Sequence, residues 1–523
     1  MSARTKITYA TMRADNEELH RAYERAVEKV RTEWLGHKHP FVVNGEPREG
    51  DGYVEERSPV DREVVVGHFA RATREDVDEA VAAAQAFFPE WSRTPWRERV
   101  QLLRRAAETI SERAFEYAAL LSLEVGKSRL EALADVEETA DLIRYYCRQM
   151  EEHDGFQVPM EALSEKERNR SVLRPYGAWA VISPFNFPMA LAGGPTGAAL
   201  VAGNTVVLKP SEQAFLSALK LYEAFRDAGL PAGALHVLTG PGESVGDALA
   251  HHPGVDGLTF TGSYAVGMSL YRSVATDRPK PVICEMGGKN PVVVSARADL
   301  EQAVEGVVRA AFGFSGQKCS ATSRVYVEQP VYDRFVELLV ERTAGLKVGN
   351  PLERDTFTGP VVSEEAVARF ERGVEDVERA GGRVLVGGRR LAGGDLARGF
   401  YVAPTVVEAP PGHRVWKEEL FVPLVAVAPV DSLDEGLRLA NDTPYGLTAG
   451  FYSKDPGEVE RFLDRIEAGV VYVNRRAGAT TGAWPGMQPF GGWKASGSTG
   501  KASGGPYYLQ QYLREQSQTV IEG

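Results

Sequence analysis

Cysteine is scarce in this chain: Cys147, Cys284 and Cys319 are the only three in 523 residues. Three thiols cannot build a disulfide framework, and none has the C-x-x-C spacing of zinc or dithiol sites, so a reduced, cytoplasmic setting is expected. The nine histidines form no H-E-x-x-H pattern, and His251-His252 adjoins Pro253-Gly254 in what reads as a surface turn, so no metal centre is indicated. Basic clusters are missing too. With 60 Lys+Arg against 72 Asp+Glu the formal charge is −12, which argues against nucleic acid as a partner. The most apolar stretch, 190–207, is broken by Gly193, Gly194, Pro195, Gly197, Gly203 and Asn204, so it reads as buried helix plus strand and not as a membrane span. The polar amino terminus, 1–16, lacks the basic flank and apolar core of a secretory signal.

What is present is ordinary globular composition, 43% hydrophobic and 25% charged, in a chain long enough to need two or three lobes with a cleft between them. Apolar residues Leu19, Tyr23, Ala26, Val27, Val30 and Trp34 recur at helical spacing, which predicts an amphipathic helix over 16–34. A strand and tight turn follow at Phe41-Val42-Val43-Asn44-Gly45, then helices over 74–87, 95–125 and 129–153, so the first third reads as mainly helical. Between 177 and 285 short β-rich runs at 178–182, 205–208, 235–238 and 257–260 alternate with helical patterns. Such alternation indicates βαβ units and a parallel sheet, with a nucleotide site at the strands' carboxyl ends. After Asn290 a second α/β series begins, with strands at 291–294, 324–327 and 470–473 and helices over 300–312 and 332–346. The chain ends in a Gly/Ser/Lys-rich stretch, 491–505, and an amphipathic tail, 507–521, without internal repeats.

Three short segments could carry chemistry. In Phe314-Ser315-Gly316-Gln317-Lys318-Cys319-Ser320-Ala321 a cysteine sits in a small polar loop between a predicted helix and strand, where a thiol is approachable; loops also carry plain cysteines. In Cys284-Glu285-Met286-Gly287-Gly288-Lys289-Asn290 a carboxylate ends an apolar strand before two glycines. Apolar neighbours should raise its pKa toward that of a base working near neutrality; the plain alternative is a surface Glu. In Pro184-Phe185-Asn186-Phe187-Pro188 an uncharged amide between two aromatics can donate to an oxyanion, or simply make a turn. Three further strand-to-helix turns suit a nucleotide: Lys209-Pro210-Ser211-Glu212, the run from Gly242 to Gly246, and Phe260-Thr261-Gly262-Ser263, whose backbone N–H groups could hold a pyrophosphate.

Taken together and in this order, FNFP, KPSE, FTGS, EMGGKN and GQKCS resemble the aldehyde dehydrogenase superfamily across nearly the whole chain. Lys417 to Pro423, Asn441 to Leu447 and Pro489-Phe490-Gly491-Gly492 extend the match; Val422 stands where the family motif carries glycine. The resemblance implies an α/β fold with a Rossmann-type parallel-sheet NAD-binding domain (1–150 and 177–286), an α/β catalytic domain (287–490) and a small β oligomerisation element (151–176 and 500–523). It implies Cys319 as the nucleophile, Asn186 and the Cys319 N–H as oxyanion donors, and Glu285 as the base that hydrolyses a thioester. For NAD it implies Lys209 and Glu212 at the adenosine ribose, Ser263 at the pyrophosphate, and Glu419 and Phe421 at the nicotinamide end. Ser183, Pro184, Ser211, Gly242, Gly246, Thr261 and Gly262 complete that set. A carboxylate at Glu212 would repel a 2′-phosphate, so NAD is expected over NADP.

Two features resemble the 1-pyrroline-5-carboxylate dehydrogenase branch, which oxidises glutamate γ-semialdehyde to glutamate in proline catabolism. They are the long amino-terminal helix and the run from Thr481 to Gly492. By that resemblance the N–H groups of Gly482 and Ala483 bind the substrate carboxylate, Ser320 adds a hydroxyl, and Phe187 and Phe490 sandwich the aliphatic stem. A different semialdehyde such as succinate semialdehyde, a broad set of aldehydes, or an inactive protein on this scaffold are the alternatives. The resemblance also implies a homo-oligomer built from dimers, in which the β element completes a neighbouring subunit's sheet.

Overall fold

The computed structural model describes residues 17–476 and 483–522. Among these the strands form two seven-stranded sheets, two three-stranded sheets and one two-stranded ribbon. In the first large sheet five strands run parallel in the spatial order Val282–Glu285, Gly257–Thr261, Ala178–Ile182, Thr205–Lys209, Leu235–Val237. The hairpin of Phe41–Val43 and Glu46–Arg48 adds an antiparallel edge, turning on Asn44 and Gly45 at positive φ. The chain winds outward in both directions from Ala178–Ile182, so the topological switch lies between that strand and Gly257–Thr261, where α/β sheets open a crevice at their carboxyl ends.

Five residues beyond Glu285, the last residue of the first sheet, Asn290 opens the second. There Asn290–Val294 lies between Thr322–Glu328 and Thr448–Tyr452, with Leu424–Val430, Thr405–Glu408 and Val470–Val473 also parallel and Arg383–Val386 antiparallel at one edge. The carboxyl end of one sheet and the amino end of the other therefore meet at 285–290.

The helices follow their sequence signals at most ends. Thr73 and Asp76 make a reciprocal capping box for Arg74–Arg93, and Asp299 caps Leu300–Phe312. The apolar stretch becomes helix Ala190–Ala202 and strand Thr205–Lys209, both buried. Three expectations need correction. Helix 74–87 continues through Pro89 to Arg93, because buried Trp91 donates its indole N–H to Leu200 O at 3.2 Å and holds the last turn in place. The single helix expected over 95–125 is two, Trp96–Glu112 and Ala114–Val125; Arg113 leaves helical geometry and lets the second segment turn into the interior, where ten of its residues are buried. The first third also holds the strands His37–His39, Tyr53–Arg57 and Val65–Ala70; polar sequence hides the first two, and Gly67 and His68 interrupt the third.

The tail forms a 3-10 turn, Leu509–Tyr512, and a strand, Leu513–Ile521, which pairs antiparallel with Glu167–Pro175 of the same chain; Gln157–Met160 completes this small sheet. Among the described residues no helix is long and apolar enough to cross a membrane.

Candidate active site

Cys319 lies in the loop between helix Leu300–Phe312 and strand Thr322–Glu328, and it is half-buried. Three successive residues before it, Phe314, Ser315 and Gly316, take positive φ, and such a turn persists only where its surroundings fix it. They do: Ser315 donates its N–H to Thr358 Oγ1 at 2.7 Å and its hydroxyl to Gly359 O at 2.7 Å, while Gln317 Oε1 accepts Val362 N at 2.8 Å. The Cys319 carbonyl accepts Asn290 Nδ2 at 2.7 Å, and Asn290 Oδ1 accepts Thr448 N at 3.0 Å, so the second sheet holds the backbone of Cys319. A side chain at Gly288 would collide with that same carbonyl, which brings the 285–290 crossover directly against Cys319.

Glu285 is the second group at this junction. Burial pushes its carboxyl up to about 8, and its Oε2 is buried without a hydrogen-bond partner in the protein. The same burial, with the charges of Glu419 and Glu285, pushes the Cys319 thiol up to about 12, so the resting sulfur is protonated. Cys147 and Cys284 are fully buried, and neither lines the cavity that Cys319 lines. Asn186, also buried, donates one Nδ2 proton to Gln317 O at 3.1 Å, which aims the amide at the loop two residues before Cys319 and leaves its second proton available.

A cavity of about 560 Å³ runs from the first sheet's switch point to Cys319. Its walls include Ser183, Pro184, Asn186, Lys209, Ser211, Glu212, Gly242, Thr261, Gly262, Ser263, Glu419 and Phe421. At one end Glu212 Oε1 accepts Gly242 N at 3.0 Å, and Lys209, buried, is brought down to about 8. Ser263, in the cavity wall, caps the helix Tyr264–Ser273 by accepting Val266 N–H. At the other end Glu419 Oε1 accepts Gly288 N at 2.9 Å, and Phe421 meets Phe185 edge-on at 6.0 Å. Phe421 itself takes the positive φ of this segment, and Val422 does not, so a side chain at 422 is accommodated.

Gly246 and Glu285 stand behind the cavity wall, Gly246 beside the Lys209 stem. Phe187 packs on the opposite side, with Lys127 Nζ 3.6 Å from its ring centroid. Beneath it lie two ion pairs invisible in the sequence: Lys127–Asp135 at 3.0 Å, fully buried, and Lys318–Glu131 at 2.6 Å. Ser320 is buried next to the nucleophile. Phe490 exchanges backbone hydrogen bonds with Ser503 at 2.9 and 2.7 Å. Gly482 lies outside the described residues, and beyond Ala483 the loop is pinned by Trp484 Nε1 donating to Asp141 Oδ2 at 2.7 Å. Sequence reasoning missed Arg369, which reaches the cavity from helix Glu364–Arg379 and donates to Leu420 O at 2.8 Å, and Met286 and Gly287 in its wall.

The model of the aldehyde dehydrogenase family matches residues 47–518. The chain belongs to the aldehyde dehydrogenase family. Among family members, a 1-pyrroline-5-carboxylate dehydrogenase of Geobacillus sp. (strain WCH70) is 41% identical over 509 residues, 96% of each chain. A solved structure of 1-pyrroline-5-carboxylate dehydrogenase from Thermus with bound NAD superposes with a TM-score of 0.93 at 36% identity, covering 100% of both chains. Proline utilization A from Bdellovibrio bacteriovorus gives 0.91 at 36% identity; this chain covers 52% of that longer one.

Proposed function

We propose that this enzyme oxidises L-glutamate γ-semialdehyde, the open form of 1-pyrroline-5-carboxylate, to L-glutamate with NAD, through a thioester on Cys319. The reading is carried by one observation: the Cys319 thiol lines the cavity, and the buried Glu285 carboxylate lies just behind its wall, near enough for its charge to act on that thiol. The curated relative from Geobacillus and the Thermus structure bear the name of that activity.

The residues fit a dinucleotide. Lys209 and Glu212 offer a cation and a carboxylate for a ribose, the turn at Ser263 offers backbone N–H groups for a pyrophosphate, and Glu419 and Phe421 flank the end nearest Cys319. NAD supplies the hydride acceptor when bound. The Cys319 sulfur gives up its proton to solvent as it adds to the aldehyde carbon; Asn186 Nδ2–H and the Cys319 N–H hold the oxyanion of the thiohemiacetal. Once the C–H hydride has left, a thioester remains. Glu285 then takes a proton from water as the water oxygen attacks the acyl carbon; the C–S bond breaks, and the acid departs. Phe187 and Phe490 would contact the aliphatic stem, and Ser320 with the Ala483 N–H the distal carboxylate.

We also assign a homo-oligomer, supported by the exposed apolar residues Val158, Met160, Val520 and Ile521 on the small sheet, and a cytoplasmic setting, supported by three free cysteines. The test of substrate is NADH formation with 1-pyrroline-5-carboxylate, succinate semialdehyde and a simple aliphatic aldehyde. The first should give the highest kcat/KM; a clear win for either other compound overturns the substrate assignment and leaves the family chemistry intact.

A further inference from the structure

The face of the first sheet that carries Glu285 also carries a set of hydroxyls with no part in the chemistry above. Parallel register sets Thr259 opposite Ile283 and Thr261 opposite Glu285. Thr259 and Glu285 therefore project from the same face, on neighbouring strands and two residues apart. Packing agrees: Trp179, Val181 and Ile283 share one core with Tyr508 and Tyr512, whereas Ala180, Leu258 and Cys284 belong to the core on the other face. Tyr512 OH lies 3.0 Å from Thr259 Oγ1 and 3.0 Å from Tyr508 OH, and Trp179 Nε1 donates to Thr259 Oγ1 at 3.0 Å. Tyr146, stacked on Tyr508 at 5.4 Å, has its hydroxyl engaged by Ser503 Oγ at 3.0 Å and Gly504 N at 3.1 Å.

Counting protons leaves a surplus. The indole N–H and three hydroxyls bring four protons to three contacts, so one must point out of the set. Trp179 can only donate. If Thr259 then donates to Tyr512 and Tyr512 to Tyr508, the remaining proton is that of the Tyr508 hydroxyl. On the same sheet face Glu285 Oε2 is a buried acceptor without a donor, a situation that costs stability unless it is met.

We propose that Tyr508, at the end of the chain Trp179–Thr259–Tyr512–Tyr508, is a positioning residue that donates to the Glu285 carboxylate through one water, and so sets the pH at which thioester hydrolysis turns on. The proposal rests on Glu285 being the hydrolytic base. The titratable groups that sense Glu285 are Cys284 beside it, Cys319 from the nucleophile loop, and Tyr508 and Tyr512 from the C-terminal turn. None is a cation, so hydrogen-bond donors are what these neighbours can offer the charged form.

The test uses the whole protein without cofactor. p-Nitrophenyl acetate acylates a thiol: sulfur attacks the ester carbon, p-nitrophenolate leaves, and the acetyl thioester then needs water and a base. Loss of acetyl from Cys319 is followed by intact-mass spectrometry across roughly pH 6 to 9. Tyr508→Phe should acylate at the wild-type rate while the half-maximal pH of deacylation rises by about 0.5 to 1, a three- to tenfold slowing near about pH 6.5 that vanishes at the alkaline end. Tyr512→Phe should shift the same way, the double variant no further than the larger single, and Thr259→Ser should keep the wild-type profile. A Tyr508→Phe profile that coincides with wild type, or falls equally at every pH, overturns the proposal. If wild type forms no acetyl thioester, or Glu285→Gln deacylates normally, the underlying reading fails first and the proposal with it.

Discussion

Gly287 lies so close beneath Glu419 that a Cβ on the glycine would collide with the Glu419 carboxylate, while Gly288 N–H donates to Glu419 Oε1 at 2.9 Å. The carboxylate, pushed up to about 7 by burial, is thus clamped onto the backbone that follows Glu285, the base in the proposed mechanism.

Gly287→Ala should therefore displace Glu419 and weaken the nicotinamide end of the cofactor site. The expected outcome is a rise of about tenfold or more in KM for NAD with a modest loss of thermal stability, on the scale of one lost charged hydrogen bond. Steady-state kinetics with varied NAD check it.

Glu285→Gln removes the base but keeps the shape of the site. Hydride transfer should still occur once per site, so a stopped-flow burst of NADH survives, while steady-state turnover falls by about 10² to 10⁴. Loss of the burst itself would assign Glu285 to the first half-reaction instead.

Glu212, exposed and accepting Gly242 N at 3.0 Å, stands where a 2′-phosphate would sit in this reading. Glu212→Ser should narrow the preference for NAD over NADP by about tenfold, measured as the ratio of kcat/KM values.

A second pair of buried carboxylates has a stability consequence. Glu124 accepts Leu216 N at 2.7 Å and Ser217 N at 3.1 Å, and Glu56 accepts Phe215 N at 3.4 Å, both at the start of helix Phe215–Asp227. Burial raises Glu124 to about 7; burial and the Glu124 charge raise Glu56 well above the carboxylate range. Both are raised on folding, so the stability they contribute is complete below the unfolded value of 4.5 and is lost as pH climbs through the folded one. Glu56→Gln should accordingly raise Tm relative to wild type above about pH 8 and matter little near about pH 5, as a melting series would show.

Much of the two large sheets was legible because their strands are short apolar runs closed by Gly, Pro or Ser; strand Ala178–Ile182 of the first and helix Leu300–Phe312 beside the second appear with the expected bounds. Strand Tyr53–Arg57 was not, since its Glu55, Glu56 and Arg57 carry no alternating apolar pattern. Cys319, Glu285 and Asn186 stood out by motif, but the means of fixing them did not. Asn290 merely precedes an expected strand yet holds the Cys319 carbonyl; Lys127, between two expected helices, pairs with Asp135, inside the second, and lies against Phe187. The Thr259–Tyr512 contact joins residues 253 positions apart, which no local pattern encodes. Likewise the residue at positive φ in this segment is Phe421, one before Val422, which stands where the family motif carries glycine.

The central claim is the sulfur. Wild type mixed with NAD and 1-pyrroline-5-carboxylate, quenched in acid within the first turnover, should carry an acyl adduct that maps by mass spectrometry to Cys319, and Cys319→Ser should show neither adduct nor NADH. Full turnover by the serine variant, or an adduct on Cys147 or Cys284, would contradict the account.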